Sequence, residues 1–473
     1  MVIYDSTQKT KVPFEPIVPN KASIYVCGPT VYDDAHLGHA RSAIAFDLLR
    51  RTLEAKGIDV TFVKNFTDID DKIIAKMHQT GQTLEALTEY YIERYKADMQ
   101  ALHVKDATLE PRATQSLPSI VRLIQTLLDK NMAYTLEDGV YFDTTKDTAY
   151  LSLSHQHIEE AKARVEEKST KRNPKDFALW KRADQDPVFD SPFGKGRPGW
   201  HIECSAMIQE HLAHEGAYQI DIHAGGADLF FPHHENEAAQ TRCASGQHLA
   251  KYWMHNGFVT IKGEKMSKSL GNSFFVKDAL HVYDGEVLRF YLLSTHYRAD
   301  FNFNEEDLRA SKRRLDKVYR LKKRLLDTQN TQVEAAFKEK VLEALSDDLN
   351  ISKALAAIDE MILQGNDALD KTPKDKALKQ RLLANLQWIE EVLGIGLHDP
   401  VAYFQLGVND AQKEHIATQI ALRQDAKKAK DFTKADAIRD ALASKGFYLM
   451  DTPQGTQWEQ GEPLALKSTQ SGF

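Results

Sequence analysis

The alternation of short apolar runs with amphipathic segments near the start of the chain most constrains how it can fold. Residues 23–26 are apolar enough for a buried strand, and after a loop a helix-like apolar period runs through Ile44 and Leu48. A second apolar run at 59–63, followed by an amphipathic stretch at 70–78, repeats this order. Strands and helices that alternate in this way are typical of a parallel sheet covered by helices. The sequence therefore predicts an α/β fold.

The length of 473 residues exceeds what one hydrophobic core organises, so we expect several domains. A first domain over 1–304 would contain two α/β halves, at about 1–111 and 198–260. An insertion at about 112–197 would separate them, and a loop region at about 261–304 would follow. Within the insertion, two apolar runs around a Glu-Asp-Gly turn predict a β-hairpin.

The second half of the chain changes in character. Leucines at helical spacing predict a helical bundle over 305–396, which two glycines end. A small terminal domain over 401–473 would contain one charged helix at about 412–444 and a short strand at 446–449. The run 312–324 contains eight basic residues and one acidic residue, and it fits either an RNA-binding stripe or a solvated helix face.

Composition narrows the class of protein. The chain is 42% hydrophobic and 27% charged with a net charge of −7, and no apolar run approaches the roughly 18 residues of a membrane span. Its first residues lack the basic flank and apolar block of a signal peptide, so a cytoplasmic location is expected. The three cysteines, Cys27, Cys204 and Cys243, are too few and too scattered for a disulfide framework.

Two short motifs carry groups suited to a polyphosphate. Residues 36–39 read His-Leu-Gly-His where the first loop meets the first helix, and a helix N-terminus attracts anions. Residues 265–269 read Lys-Met-Ser-Lys-Ser in a loop, where two lysines could stabilise a pyrophosphate leaving group. Each motif alone also fits an ordinary alternative, a helix cap for the first and a solvated basic loop for the second.

A possible metal site emerges from four scattered residues. His233 and Glu237 lie four positions apart in an expected helix, so both side chains could reach one ion. Cys27 ends the first strand and Cys204 lies far along the chain; if both converge on that helix face, two thiolates, an imidazole and a carboxylate form a zinc set. Spacing alone leaves the alternative of buried structural cysteines open.

Together, the two phosphate motifs resemble the HIGH and KMSKS signatures of the class I aminoacyl-tRNA synthetases, the first with Leu in place of Ile. The blocks 25–32, 199–205 and 231–237 resemble the cysteinyl-tRNA synthetase family, and the resemblance covers nearly the full length. It implies a Rossmann-type core that joins an amino-acid carboxylate to the α-phosphate of ATP with Mg²⁺, releases pyrophosphate and passes the acyl group to tRNA. The implied substrates are L-cysteine and tRNA(Cys). Separately from the resemblance, we expect a monomer.

The resemblance also implies roles for single residues. One zinc ion, held by Cys27, Cys204, His233 and Glu237, would recognise the substrate thiolate and separate cysteine from serine without an editing domain. The other implied positions are catalytic His36, His39, Lys265 and Lys268; ATP-binding Thr30, His36, Gly38, His39, Gly225, Gly226, Asp228 and Lys268; substrate-binding Gly28, Thr67 and Trp200; and anticodon-reading Asp436, Arg439 and Trp458. Cys243 and His234 have no matching role, so we expect them to be structural.

Two other functions remain open. A related ligase could attach cysteine to an amino sugar instead of tRNA, although the extended C-terminal half favours tRNA. A non-catalytic tRNA-binding or zinc-binding paralogue is the second alternative, against which both phosphate motifs and all four zinc ligands argue.

Overall fold

The computed structural model describes residues 1–155, 171–261, 264–265, 274–326, 328–329, 331–452 and 455–461. The chain divides into two units. The first comprises Met1–Lys312, Val333–Met361 and Glu391–Ile395, and the second comprises Arg313–Gln332, Ile362–Glu390 and Gly396–Phe473. Among the described residues, none of the helices combines the length and the apolar character that a membrane crossing requires.

Helices and strands alternate in the first half of the chain, and helices dominate the second. The described strands are β1 (Val2–Asp5), β2 (Thr10–Pro13), β3 (Lys21–Val26), β4 (Asp59–Lys64), β5 (Ala133–Leu136), β6 (Gly139–Phe142), β7 (Phe177–Arg182), β8 (Gly196–Pro198), β9 (Tyr218–Gly226), β10 (His248–Asn256), β11 (Val259–Ile261), β12 (Glu264–Lys265), β13 (Phe301–Phe303), β14 (Phe447–Thr452) and β15 (Gly455–Gln460). The described helices are α1 (Leu37–Ala55), α2 (Asp71–Thr80), α3 (Leu84–Ala101), α4 (Leu117–Asp129), α5 (Trp200–His211), α6 (Glu235–Ser245), α7 (Val276–Val282), α8 (Gly285–Leu293), α9 (Glu305–Arg324), α10 (Ala335–Leu345), α11 (Ile351–Lys371), α12 (Lys376–Leu393), α13 (Pro400–Tyr403), α14 (Asp410–Lys428) and α15 (Phe432–Ala443).

The central sheet of the first unit is parallel throughout, with strand order β10-β9-β3-β4. Tyr25 in β3 lies opposite His223 in β9 and Val63 in β4. β3 is buried from Ala22 to Val26, which suits a central strand that is covered on both faces. The prediction of an α/β, Rossmann-type core is confirmed.

A second sheet lies within the predicted insertion. Its four antiparallel strands have the order β5-β6-β7-β8, and Leu136 lies opposite Gly139 across the predicted turn. Ile120 of α4 belongs to the same apolar core as Phe142 and Trp180 of this sheet. The predicted hairpin is confirmed, and two further strands extend it. β8 leads directly into α5, so the insertion ends where a functional helix begins.

The stretch 305–396 is helical, as the leucine spacing predicted. Three of its helices, α9, α11 and α12, contribute residues to both units. The fold class predicted from the sequence is confirmed. The exact bounds of the domains stay a prediction.

In the terminal region the predicted single charged helix at about 412–444 is wrong. The structure has two helices, α14 and α15, that pack against the hairpin β14–β15. The chain breaks at Lys430, whose φ is +60°, and the side chain of Asp431 then caps α15 by accepting a hydrogen bond from the Lys434 amide at 3.0 Å. The predicted short strand is also longer than expected and has an antiparallel partner.

Candidate active site and metal centre

The four predicted metal ligands meet at the carboxyl end of β3. Cys27 follows the last residue of that strand, Cys204 lies on α5, His233 lies in the kinked segment Phe230–His234 just before α6, and Glu237 lies in the first turn of α6. One ligand atom from each side chain can be chosen so that all four lie within 4.8 Å of one another. Carboxyl ends of parallel strands commonly frame ligand sites, and here they bring together residues that are up to 210 positions apart.

The distances between these atoms match the edges of a tetrahedral zinc site. The two sulfurs are 3.9 Å apart, Cys204 Sγ lies 3.6 Å from His233 Nε2, and His233 Nε2 lies 3.0 Å from Glu237 Oε1. Tetrahedral bonds of about 2.3 Å to sulfur and about 2.0 Å to nitrogen or oxygen predict edges of about 3.8, 3.5 and 3.3 Å for these pairs. The donor set and its spacing both fit zinc.

The helix geometry around His233 differs from the expectation. α6 begins at Glu235, so His233 lies in a kinked segment, Phe230–His234, rather than in the regular helix. The backbone is extended at Phe231 and the Phe231–Pro232 peptide bond is cis. Helical dihedral angles at His234 and Glu235 preserve the spacing that brings His233 and Glu237 onto one face.

Burial and mutual contacts shift the pKa values of these ligands. The contact with Cys27 lowers the pKa of Cys204 to about 6, against the opposing effect of burial. Burial opposes protonation of His233, but the Glu237 carboxylate and the Cys204 sulfur raise its pKa to about 10. Burial also opposes ionisation of Glu237, yet His223 and His233 lower its pKa to about 2. A thiolate and a carboxylate therefore already favour a cation at this place.

A cluster of buried histidines, which the sequence analysis missed, adjoins the four ligands. His223 Nε2 lies 2.8 Å from Glu237 Oε2, and His234 Nδ1 lies 2.8 Å from His255 Nε2. Cys27, His223, His234 and Glu237 form an alternative group of potential ligands within 4.8 Å. Only the first group offers two thiolates, which zinc prefers, and in that arrangement His223 orients the Glu237 carboxylate.

The three predicted substrate-pocket residues surround the ligands. The amide of Gly28 donates to Asn65 Oδ1 at 2.8 Å, directly beside Cys27. Trp200 is 38% exposed, and its ring stacks on His233 with the centroids 4.1 Å apart. Thr67 Oγ1 donates to Glu203 Oε2 at 3.2 Å, and Glu203 precedes Cys204 on α5. An exposed aromatic ring beside these predicted ligands is suited to line a pocket for a small substrate.

Glu203 is a further site residue that the sequence analysis did not single out. It is 1% exposed, and its Oε1 atom has no hydrogen-bond partner among the described residues. Burial, reinforced by Cys204 and Asp68, raises the pKa of Glu203 well above its usual value. The only sequence signal was its place next to Cys204, which does not reveal burial.

The first phosphate motif caps α1. His36 is the N-cap residue: its Nδ1 accepts from the His39 amide at 3.3 Å, and His39 Nδ1 accepts from the His36 amide at 3.2 Å. The two rings stack with their centroids 3.8 Å apart. The capping alternative is therefore realised, and it holds both imidazoles at the positive end of the helix dipole. Gly38 is confined by these rings, since an added Cβ would lie 2.8 Å from the His36 ring.

The second motif lies only partly within the described residues. Lys268 lies outside them, and of Lys265 the structure describes the backbone, which pairs in β12 with Thr260 of β11. The chain after the second motif lies beside the first motif. The Leu37 amide of the first motif donates a hydrogen bond to the carbonyl of Phe274 at 3.0 Å.

The remaining predicted ATP-binding residues lie at the same edge of the sheet. Gly225 and Gly226 end β9 and pair with the end of β10, and Asp228 lies in the 3₁₀ turn that follows. Thr30 forms a parallel backbone bridge with Thr67. The structure thus gathers these residues around the ends of β3, β4 and β9.

The residues predicted to contact RNA lie in different surroundings. Trp458 is 8% exposed and packs edge-on against Phe447 in the core of the terminal hairpin, so it offers no face to an unpaired base. Asp436 and Arg439 pair with each other at 3.2 Å on the surface. Basic residues of the predicted stripe form ion pairs within the second unit: Lys322 with Glu390, Arg320 and Lys323 with Glu459, and Arg324 with Asp370.

Comparison with known proteins places this fold in one class. A family model described as "tRNA synthetases class I (C) catalytic domain" matches residues 13–313, and one described as "DALR domain" matches residues 340–398. Among solved structures, the chain is similar to a Mycobacterium tuberculosis methionyl-tRNA synthetase, with a TM-score of 0.60 and 17% identity over 84% of this chain and 96% of the other. An Agrobacterium radiobacter LeuRS in complex with tRNA matches with a TM-score of 0.59 and 12% identity, over 84% and 86% of the two chains. The chain has the fold of a class I aminoacyl-tRNA synthetase.

Curated relatives are much closer in sequence. The chain is 62% identical to the cysteine–tRNA ligase of Nitratiruptor sp., over 97% of this chain and 100% of the relative. It is 62% identical to that of Aliarcobacter butzleri, over 97% and 99%, and 60% identical to that of Helicobacter pylori strain P12, over 97% and 100%. The chain therefore belongs to the cysteine–tRNA ligase family, and the enzyme class predicted from its sequence is confirmed.

Proposed function

We propose that this chain ligates L-cysteine to tRNA(Cys) through a cysteinyl-adenylate, with ATP and Mg²⁺ as co-reactants and one zinc ion that recognises the substrate thiolate. The observation that carries this proposal is the convergence of two thiols, an imidazole and a carboxylate within 4.8 Å at the carboxyl end of β3. We further propose that the protein acts as a monomer in the cytoplasm.

Zinc bound by Cys27, Cys204, His233 and Glu237 would supply a Lewis-acidic centre that prefers a thiolate to a neutral hydroxyl. This preference matters because shape alone separates near-isosteric substrates by only about a hundredfold. The protein's part is to hold the ligands in place. Trp200 stacks on His233, which restricts the orientation of that ring.

The residues of the nucleotide site have complementary roles. His36 and His39, held at the N-terminus of α1, would stabilise the negative charge that develops on the phosphates during adenylate formation. Lys265 and Lys268 would stabilise the leaving pyrophosphate. ATP would also contact Thr30, Gly38, Gly225, Gly226 and Asp228. The substrate cysteine would contact Gly28, Thr67 and Trp200.

We propose that the chain divides into a catalytic domain over 1–304, a helical bundle over 305–396 and a small anticodon-binding domain over 401–473. The family-model matches to 13–313 and 340–398 support the first two parts of this division. Since Trp458 is buried, anticodon contacts are proposed for exposed residues of the terminal domain such as Arg439.

The metal role is tested with two matched variants. His233→Ala should lose zinc and reduce cysteine-dependent pyrophosphate exchange at least about a hundredfold, whereas its affinity for ATP should change less than about threefold. Cys243→Ser, which alters the thiol on α6 that is not among the proposed ligands, should keep one zinc per chain and near-normal exchange. Zinc content by elemental analysis and exchange rates give the readout. Equal loss of cysteine activation and ATP binding in His233→Ala would contradict the proposal.

The acceptor needs a separate experiment. Deacylated tRNA should accept cysteine from the purified protein, and an amino sugar at the same concentration should not. Charging of the amino sugar alone would overturn the tRNA assignment. A zinc-loaded protein without any cysteine-dependent exchange would instead indicate a non-catalytic binding protein.

A further inference from the structure

The first phosphate motif is joined to the start of α7 by a short antiparallel ladder. His36 and Phe275 lie directly opposite each other in an antiparallel bridge. The Val276 amide donates to the carbonyl of Ala35 at 2.8 Å, and the hydrogen bond of the Leu37 amide lies on the other side of the opposed pair. The backbone on both sides of His36 is therefore fixed to the chain that follows the second motif.

A charged pair joins the same two segments. Asp34 lies two residues before His36, and Lys277 lies two residues after Phe275. Lys277 Nζ is 2.6 Å from Asp34 Oδ2, and Arg94 of α3 forms an ion pair with the other oxygen, Oδ1. One carboxylate thus connects the loop before α1 to both α3 and α7.

This ion pair is partly shielded from water. The side chain of Asp34 is 9% exposed, whereas those of Lys277 and Arg94 are 35% and 32% exposed. Burial opposes ionisation of Asp34, but Lys277 and Arg94 lower its pKa. The carboxylate is therefore ionised at neutral pH, and salt screens a partly buried pair less than one at the open surface.

The backbone of His36 needs such support because it lies outside the regular helix. As the N-cap residue it has extended dihedral angles, φ −96° and ψ 168°, so the hydrogen bonds of α1 alone do not fix its orientation. A group that stabilises charge in a transition state acts only if it is held close to its productive position. The contacts of residues 34–37 with α3 and α7 meet this need.

We propose that Asp34 is a positioning residue for adenylate formation, whose ion pairs with Lys277 and Arg94 hold the loop before α1 so that His36 faces the developing phosphate charge. This inference rests on the proposed function, because it gives Asp34 a part in the same activation step. Asp34 itself does not contact the substrates. Its loss should therefore lower kcat more than substrate affinity, since a displaced donor matters most where charge develops.

The experiment measures cysteine-dependent pyrophosphate exchange with the full chain, and kcat is referred to active sites titrated by adenylate formation. Asp34→Asn keeps the shape and removes the charge. It should lower kcat about thirtyfold, whereas KM for cysteine and for ATP should change less than about threefold. Zinc content should stay that of the wild type, since Asp34 is not among the proposed ligands.

Two lysine variants form a matched pair. Lys277→Met should lower kcat about tenfold, because Arg94 remains as a partner of Asp34. Lys105→Met breaks an ion pair with Glu54 that also measures 2.6 Å, and its lysine is 39% exposed, close to the 35% of Lys277. It should leave kcat within about twofold of the wild type.

A double-mutant cycle tests whether Asp34 acts through His36. His36→Asn removes the imidazole and keeps a residue that caps helices well. In that background Asp34→Asn should lower kcat less than about threefold, because no imidazole is left to displace.

An equal loss of kcat from Asp34→Asn in both backgrounds would overturn the proposal. So would wild-type kcat in Asp34→Asn, a rise in KM as large as the fall in kcat, or equal losses in the two lysine variants. Absence of cysteine-dependent exchange in the wild type would refute the proposed function, and this inference with it.

Discussion

At the scale of single residues, Gly28 is the most constrained position of the site. It follows Cys27, and its Cα faces the backbone of the loop after β4, so an added Cβ would overlap the carbonyl oxygen of Asn65. Its backbone is not left-handed, so the requirement for glycine is steric rather than conformational. The close approach keeps the Cys27 loop beside Thr67 and the substrate pocket.

Gly28→Ala should therefore destabilise the protein by about 2–4 kcal/mol, because two backbone segments must move apart. The displacement of Cys27 should also reduce cysteine-dependent pyrophosphate exchange at least about tenfold. Urea unfolding and exchange assays check both effects. Gly246→Ala is the matched control, since Gly246 has a φ of +80° and no atom lies within 4 Å of an added Cβ, and it should cost about 1 kcal/mol without a change in exchange.

At the scale of secondary-structure elements, the junction between α14 and α15 is the main departure from the sequence prediction. The Asp431 amide donates to the carbonyl of Ala426 at 2.9 Å and the Lys430 amide donates to that of Lys427 at 3.0 Å. These two bonds form a Schellman motif, in which the left-handed position is usually glycine. Here it is Lys430, so residue composition gave no sign that the helix ends.

Lys430→Gly should stabilise this junction by about 0.5–1 kcal/mol, since the left-handed conformation is costly for lysine and not for glycine. Hydrogen exchange at the amides of α14 and α15 should slow about twofold to fivefold. Ala421→Gly, at an exposed position within α14, adds the same unfolded-state freedom and should cost about 1 kcal/mol instead. Faster exchange in both variants would show that the backbone conformation at residue 430 carries no strain.

At the scale of the whole molecule, the first unit contains a buried network of charged side chains that connects distant parts of the chain. Asp47 of α1 accepts hydrogen bonds from Arg51 at 2.7 Å and from Arg289 of α8 at 2.5 Å. The two arginines in turn donate to the carbonyls of Glu391 and Leu393, both at 2.7 Å. Residues 391–395 belong to the first unit although they lie at the end of the helical stretch 305–396.

Asp47→Asn should destabilise the protein by about 3–5 kcal/mol at neutral pH, because it leaves two buried guanidinium groups without a carboxylate. Burial opposes ionisation of Asp47, but Arg289 and Arg51 hold its pKa below the usual value. The stabilisation is therefore present above about pH 4 and is lost as the pH falls through the lowered pKa of the folded state.

Urea unfolding of wild type and Asp47→Asn across this range checks both the size and the sign. The difference between them should shrink as the pH falls below about 4. Glu54→Gln, which removes a less buried carboxylate from the same helix, should cost less than about 1 kcal/mol. A difference that does not change with pH would show that Asp47 is not ionised in the folded protein.

Much of the fold could be predicted because its signals are local. The apolar runs of β3 and β4, the turn between β5 and β6 and the cap of α1 each depend on residues a few positions apart. The break at Lys430 escaped prediction since its signal is a backbone conformation that lysine rarely adopts. The sequence did not reveal that β7 and β8 extend the sheet of the insertion, because these strands pair with residues that lie far from them in the sequence.

The sequence by itself determined the types of ligand at the proposed metal centre and the order of strands and helices that carries them. Only the tertiary structure decided that His223 contacts Glu237 and that Trp458 is buried. The physical reason is that chemistry and local conformation belong to neighbouring residues. Contacts and burial depend instead on strand order and register, which bring together residues that are far apart in the chain.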